Sequence, residues 1–315
     1  MHTGDMTRSK AKVLDKRILV LQGGRGNERE VSLRSAGQVA GALQSLGHSV
    51  FFGDPAEADF DLDKLTQSCD VVIMIHGVDG EDGVFQRQLE AMEQPFLGSG
   101  SAACELTYDK SRYRKFMATQ DVGMAHGEVV SRQAFDQSKL RQVPYVLKPI
   151  KGGSSVDTVI VHDLANEPKS AYFDSLFAKY GQMLLEQLIE GQEITVGILG
   201  SQALPVILIV PPQNGEFDYE NKYNGQSQEI VDPPQIDGTV KRGAQELALR
   251  IHGLTGCRHL SRTDMIVTPE GELYVLETNT MPGMTAESLF PKAAATAGHN
   301  MPALVRCFLE MANGV

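Results

Sequence analysis

The chain has 315 residues, of which 42% are hydrophobic and 22% charged, a globular composition with enough length for two or three lobes instead of one core. A net charge of −11 argues against a protein that tracks a nucleic-acid backbone, and no stretch approaches the ~18 apolar residues of a membrane span. The polar first ten residues do not read as a signal peptide, and the scattered Cys69, Cys104, Cys257 and Cys307 fit reduced thiols of a cytoplasmic protein better than a disulfide frame or a zinc site.

Residues 1–16 are polar and expected to be loose. The apolar run 17–21 reads as a buried strand feeding the turn Gly23-Gly24-Arg25-Gly26. From 28 to 46 apolar residues recur at helical spacing, and Gly47 stops the helix. Strands follow at 49–52 and 71–75, then a helix at 84–92. Strand, loop and helix in series predict a parallel sheet covered by helices, an α/β lobe over 1–104. A helix around 108–118 opens a second unit. There a strand at 145–149, a glycine-rich loop at 151–155, a helix at 171–180 and a strand running from 183 into a hinge at 189–191 predict a small α+β lobe over 105–190. Strands at 193–199, 204–210, 265–267 and 273–276 predict an antiparallel sheet over 191–315, covered by helices at 240–254 and 303–311. Between them, the polar stretch 211–234 is long for a connector and reads as an active-site lid.

The chemistry gathers on a hairpin. Residues 262–267 and 272–277 read as strands joined by Thr268-Pro269-Glu270-Gly271. Side chains alternate along a strand, so Arg262 and Asp264 share one face and Glu277 and Asn279 share another. A two-residue turn at Glu270-Gly271 puts Asp264 opposite Glu277, whereas a bulged turn breaks that register. In the first case three oxygen donors meet beside a guanidinium, which suits Mg2+ held together with substrate phosphates. The segment Lys148-Pro149-Ile150-Lys151-Gly152-Gly153-Ser154-Ser155 leaves a strand for a loop whose backbone N–H groups, hydroxyls and lysines suit phosphate oxygens. It is not a P-loop, because no Gly-Lys-Ser/Thr opens a helix. Lys110 offers a second cation. The turn at 23–26 lacks the full Gly-x-Gly-x-x-Gly pattern, since position 29 is Arg, so a nicotinamide dehydrogenase is the weaker reading. Glu28 at a helix start either complements the helix dipole or faces a ligand. His76 follows a buried strand, where open α/β sheets place ligands. In the lid, Lys222 can reach a transferring phosphate and Tyr223 can latch onto Ser154.

Taken in order, Gly23-Gly24 with Glu28-Arg29-Glu30-Val31-Ser32, His76-Gly77 with Gly80-Glu81-Asp82-Gly83, Asp109-Lys110, Lys148-Pro149 with Gly153-Ser154-Ser155-Val156, Asp218-Tyr219 with Lys222-Tyr223, Arg262-x-Asp264 and Glu277-x-Asn279-Thr280-x-Pro282-Gly283-Met284-Thr285 resemble the D-alanine–D-alanine ligase family of the ATP-grasp superfamily. The likeness runs from about residue 17 to the C-terminus. It implies a three-lobed ATP-grasp architecture with an N-terminal parallel-sheet domain, a cytoplasmic location and a homodimer. It also implies an ATP-dependent ligase that makes D-alanyl-D-alanine for peptidoglycan through an acyl phosphate. By the same resemblance Asp264, Glu277 and Asn279 hold two Mg2+ (with Mn2+ able to substitute), and Lys110, Lys148, Ser154, Ser155 and Lys222 contact the ATP phosphates. Glu186 and Ile189 face adenine, Glu193 the ribose, and Glu28, near His76, pairs with the ammonium of the first D-alanine. Arg262 and the Gly283 N–H stabilise the oxyanion, Ser288 orients the carboxylate of the second substrate, and Ser154 and Tyr223 link loop and lid. The chain departs from the pattern at Asp157 and Ser261, where glycine is common, and at Met281, where a small polar residue is common; the stretch between Lys110 and Lys148 is also short for the family. An acidic Asp157 beside a phosphate loop repels ATP unless it points outward. Two other readings follow: the same fold with a D-lactate or D-serine acceptor, which Tyr223 disfavours, and an inactive ATP-binding relative, which the retained acidic ligands disfavour.

Overall fold

The computed structural model describes residues 15–74, 78–211 and 227–314. Its first sheet contains β1 (Arg17–Leu21), β2 (Ser49–Gly53), β3 (Val71–Met74) and β4 (Phe96–Leu97), all parallel in the order β2-β1-β3-β4. Ile18, Leu19, Val20, Val71, Val72 and Ile73 are fully buried, as expected of a parallel sheet covered on both faces. Helix Arg29–Ser45 packs by the stripe Val31, Ala36, Val39, Ala40 and Leu43, and Gly47 leaves it at φ +90°, a backbone state open to glycine.

The second sheet is antiparallel and contains β5 (Gly127–Ser131), β6 (Tyr145–Pro149), β7 (Val159–Val161) and β8 (Gln182–Gln187), ordered β5-β8-β6-β7. Phe135, Tyr145, Phe173 and Phe177 fill its core against helix Ser170–Tyr180. The third sheet contains β9 (Gln192–Leu199), β10 (Gln202–Ala203), β11 (Ile207–Val210), β12 (Gln228–Val231), β13 (Leu260–Val267) and β14 (Leu273–Asn279), ordered β12-β11-β9-β13-β14 with β10 beside β9. Helix Gly238–Leu254 covers one face through Ala244, Ala248 and Ile251.

Three readings of the sequence need correction. The helix around 108–118 is two helices, Ser101–Tyr108 and Lys110–Thr119, broken at an extended Asp109 whose carboxylate accepts from the N–H of Ser111 and of Arg112, both at 3.1 Å, an N-cap. The last helix, Met301–Ala312, lies against helix Arg29–Ser45 and β4, and its Leu304, Val305, Phe308 and Leu309 join the core of the first sheet. An amphipathic stripe states that a helix must cover something, not what. Finally, the 211–234 stretch is not wholly a loop, because β12 forms within it and pairs antiparallel with β11. His76, Lys222 and Tyr223 lie outside the described residues. No helix of the described residues is long and apolar enough to cross a membrane.

Candidate active site

The hairpin β13–β14 brings Arg262 opposite Asn279 and Asp264 opposite Glu277. The predicted register is present, but the turn that makes it is different. Gly271 N–H donates to the Thr268 carbonyl at 2.9 Å and Thr268 N–H to the Glu272 carbonyl at 3.0 Å, with Gly271 at φ +86°. This is a three-residue loop closed by a left-handed glycine, which starts the ladder one residue out of register. A β-bulge between Asp264 and Met265 on β13, at Leu276 of β14, restores it. Such a bulge re-aims side chains, and here Leu276 and Glu277 both line one cavity.

Asp264 is 5% exposed and takes the Arg262 guanidinium on both oxygens, at 2.9 and 2.8 Å, with the Thr195 hydroxyl at 2.5 Å. Oriented to satisfy its neighbours, the Asn279 amide donates to Glu81 Oε1 at 2.8 Å and accepts from Arg262 Nη2 at 3.1 Å. Lys110 Nζ lies 3.4 Å from Glu277 Oε2 and donates to the Gly152 carbonyl at 2.6 Å, so one ammonium joins the acidic hairpin to the glycine-serine loop. Two carboxylates and an amide are hard oxygen donors of the kind Mg2+ takes, and they leave coordination positions for phosphate oxygens and water. Among the described residues no group of three His, Cys, Asp or Glu would hold a metal alone. The donor set therefore fits a metal that arrives with a phosphorylated ligand.

Lys148 projects from β6 onto Glu186 of β8, the two at 2.5 Å, and the second oxygen of Glu186 meets Arg114 at 2.5 Å. Glu186 as a residue is 5% exposed, and its carboxylate bridges two cations. Sequence reasoning missed Arg114, although its spacing of four from Lys110 puts both on one helix face. Gly127 opposite Glu186 is required for this: an added Cβ would lie 2.8 Å from Glu186 Cγ and 2.9 Å from the Leu185 carbonyl. Glu28 is nearly buried and does not cap its own helix. Its Oε1 instead accepts from the Ser154 hydroxyl across 126 residues of chain.

Two cavities meet here. One of about 630 Å³ lies between the second and third sheets and is lined by Lys148, Ser155, Glu186, Ile189, Glu193 and Leu276. The other, about 610 Å³, is lined by Ser154, Arg262, Asn279, Gly283 and Ser288. Glu28, Lys110, Gly152, Gly153 and Glu277 line both. At Gly283 a Cβ would come within 2.9 Å of Ser288 Oγ, which itself accepts from Thr285 N–H at 3.0 Å. Every described site residue predicted from sequence thus borders one cavity or the other, Asp264 lining the first.

The three departures have local partners. Asp157 adopts φ +57°, a state aspartate tolerates better than most residues, and turns away from both cavities to Lys179 and Tyr180. Hydrogen bonds from Lys179 and Tyr180 hold its carboxyl below the usual range. Ser261 is fully buried and bonds His252 Nδ1 at 2.7 Å; burial lowers that imidazole to about 4. Met281 packs into the core shared by the first sheet and the last helix.

A glycine-serine loop on one β-lobe is joined through Lys110 to an acidic hairpin on another, in a mixed α/β fold of the ATP-grasp class. The family model described as D-ala D-ala ligase C-terminus matches residues 117–310. The chain is 38% identical over 301 residues to a D-alanine–D-alanine ligase of Oleidesulfovibrio alaskensis, covering 94% of this chain and 96% of that protein. A crystal structure of the D-alanine–D-alanine ligase of Bacillus anthracis superposes with a TM-score of 0.81 at 29% identity, covering 95% and 97% of the two chains. The same enzyme complexed with ATP gives 0.79 at 26% identity over 95% and 98%. The chain belongs to the D-alanine–D-alanine ligase family.

Proposed function

We propose that this protein joins two D-alanine molecules at the expense of ATP, in the cytoplasm and for peptidoglycan precursors. The observation that carries the reading is the meeting of a nucleotide-sized cavity and a polar cavity at Glu28, Lys110 and Glu277. ATP occupies the first, with adenine against Ile189 and the end of β8 at Glu186, ribose hydroxyls at Glu193, and phosphates at Lys148, Lys110, Ser154 and Ser155. D-alanine occupies the second, with its ammonium at Glu28.

The γ-phosphoryl group passes to a carboxylate oxygen of the first D-alanine, giving an acyl phosphate and ADP. The amine of the second D-alanine attacks the acyl carbon. The tetrahedral intermediate expels inorganic phosphate and sheds a proton, leaving the dipeptide. Arg262 and the Gly283 N–H hold the oxyanion, a role suited to fixed donors, which need no rearrangement as charge develops. Ser288 orients the second carboxylate, and Lys222, Tyr223 and His76 complete the site from residues outside those described. Asp264, Glu277 and Asn279 would hold two Mg2+, which would neutralise phosphate charge. The lobes 1–104, 105–190 and 191–315 act as substrate, nucleotide and metal platforms within a homodimer.

Phosphate release from Mg-ATP with D-alanine, L-alanine, D-serine or D-lactate, with products identified by mass, tests this. D-alanine-dependent release with D-alanyl-D-alanine as product is expected; no release from folded, ATP-binding protein refutes it.

A further inference from the structure

The loop joining β6 to β7 carries a second, unexpected anchor. At its centre Ser154 reaches Glu28 on the first lobe. At its end the Asp157 carboxylate accepts from Lys179 Nζ at 2.7 Å and from the Tyr180 hydroxyl at 2.5 Å, both on the last turn of helix Ser170–Tyr180. Lys179 also stacks on the Tyr180 ring, 5.0 Å from its centroid. Tyr180 lines the nucleotide cavity, as do Gly153, Ser155, Val156 and Thr158, whereas Asp157 does not.

The backbone explains why an anchor matters. Ser154, Ser155 and Asp157 sit at φ +53°, +56° and +57°, a region that disfavours side chains other than those of glycine, asparagine and aspartate. The loop's own backbone bonds are few and long, Val156 N–H to Gly153 carbonyl at 3.4 Å and Thr158 N–H to Ser155 carbonyl at 3.2 Å. Strained backbone persists only when its surroundings over-determine it. Beside Lys110, which holds the Gly152 carbonyl, the determining groups are two carboxylates: Glu28 at the loop's centre, which belongs to the reacting centre, and Asp157 at its end, which does not.

We infer that Asp157 is a positioning residue for the nucleotide: by clamping the end of the glycine-serine loop to Lys179 and Tyr180, it sets the distance between the loop's N–H groups and the cavity wall formed by Tyr180. This rests on the nucleotide reading of the cavity proposed above. Asp157 touches neither substrate nor phosphate in this arrangement and acts through the loop alone. The opposite role, an acidic residue that weakens ATP binding by repulsion, predicts the reverse sign.

Asp157→Asn is the informative variant, because asparagine keeps the left-handed backbone and removes the charge. Binding of a fluorescent non-hydrolysable ATP analogue is measured directly, alongside kcat and the KM for ATP and for D-alanine. The clamp predicts about a five-fold rise in analogue Kd and in the ATP KM, the size a partly exposed charge-assisted pair supports, with kcat and the D-alanine KM within about two-fold. Lys179→Met should give a smaller rise in the same direction, and Asp157→Asn combined with Tyr180→Phe should be no worse than the weaker-binding single variant. Unchanged or tighter analogue binding in Asp157→Asn overturns the clamp, as do additive effects in the double variant. If the unaltered protein binds the analogue but makes no dipeptide, the ligase reading fails while the clamp is still decided by the Kd values.

Discussion

Glu186 tests how far a buried charge bridge, and not apolar packing alone, holds the lobe of the second sheet together. Its carboxylate side chain is 7% exposed, between Lys148 at 11% and Arg114 at 15%, with both contacts at 2.5 Å. Exposure this low leaves little solvent screening. Removing one partner of a buried pair costs about 3–5 kcal/mol, because it strands the other charge. Glu186→Leu, which strands two cations, should fall at the top of that range. Glu186→Gln keeps one acceptor oxygen and should cost about 2–3 kcal/mol, the difference being one charge-assisted hydrogen bond. Either is a large part of the roughly 5–15 kcal/mol that holds a domain folded. Urea unfolding followed by far-ultraviolet circular dichroism reads it as a lower midpoint at constant slope. Combining Glu186→Gln with Lys148→Met should bring the midpoint back toward the unaltered protein, since one stranded cation is gone. A Glu186→Gln midpoint equivalent to less than about 0.5 kcal/mol of change, the range of an ordinary surface substitution, would refute the bridge as a structural element.

Glu277→Gln should lower kcat by about 100-fold or more while leaving the urea midpoint in place, because electrostatic positioning of the transferred phosphoryl group is the main catalytic device of this chemistry; full turnover would remove the metal assignment. Gly283→Ala should cut dipeptide synthesis by about ten-fold or more, since its Cβ would lie 2.9 Å from Ser288 Oγ and small misplacements cost large rate factors; steady-state kinetics with both substrates saturating decides it. Stability should also fall with acid before the carboxylates titrate. Burial lowers His252, and burial with Arg258 and His252 nearby lowers His259, both to about 4, below the usual value near 6.5. From about pH 6.5 down to 4 the unfolded chain therefore binds more protons, and stability drops by up to about 1.4 kcal/mol per pH unit for each histidine. His259 Nδ1 accepts from Gly98 N–H at 3.0 Å and its backbone is at φ +68°, so His259→Asn keeps the acceptor and the conformation. It should reduce the dependence of the urea midpoint between pH 7 and 5 by about a third to a half, and an unaltered dependence would show that His259 takes up protons equally in the folded and unfolded states.

Much of the site is local and therefore legible from residue order. Alternation along β13 and β14 put Arg262 with Asp264 and Glu277 with Asn279, because side-chain direction in a strand follows from position alone. The parallel first sheet was readable because its central strands β1 and β3, buried on both faces, are continuous apolar runs. The register between the two strands was not local in the same way. It came out as expected only because a three-residue turn and a bulge offset each other, and nothing in residue type announced the bulge at Leu276.

What only the tertiary structure decided are the pairings between segments far apart in the chain. That Glu28 faces Ser154 and does not cap its helix depends on which lobe surfaces meet, and that Glu186 bridges Arg114 and Lys148 and Asp157 turns to Lys179 and Tyr180 depends on how strands and helices pack within one lobe. The last helix is the simplest instance: its amphipathic stripe required a partner, but that it lies chiefly against helix Arg29–Ser45 and β4, in a core the third sheet shares, was settled by geometry. Periodicity determines which face of an element must be buried, while the identity of the burying surface is a property of the whole assembled chain.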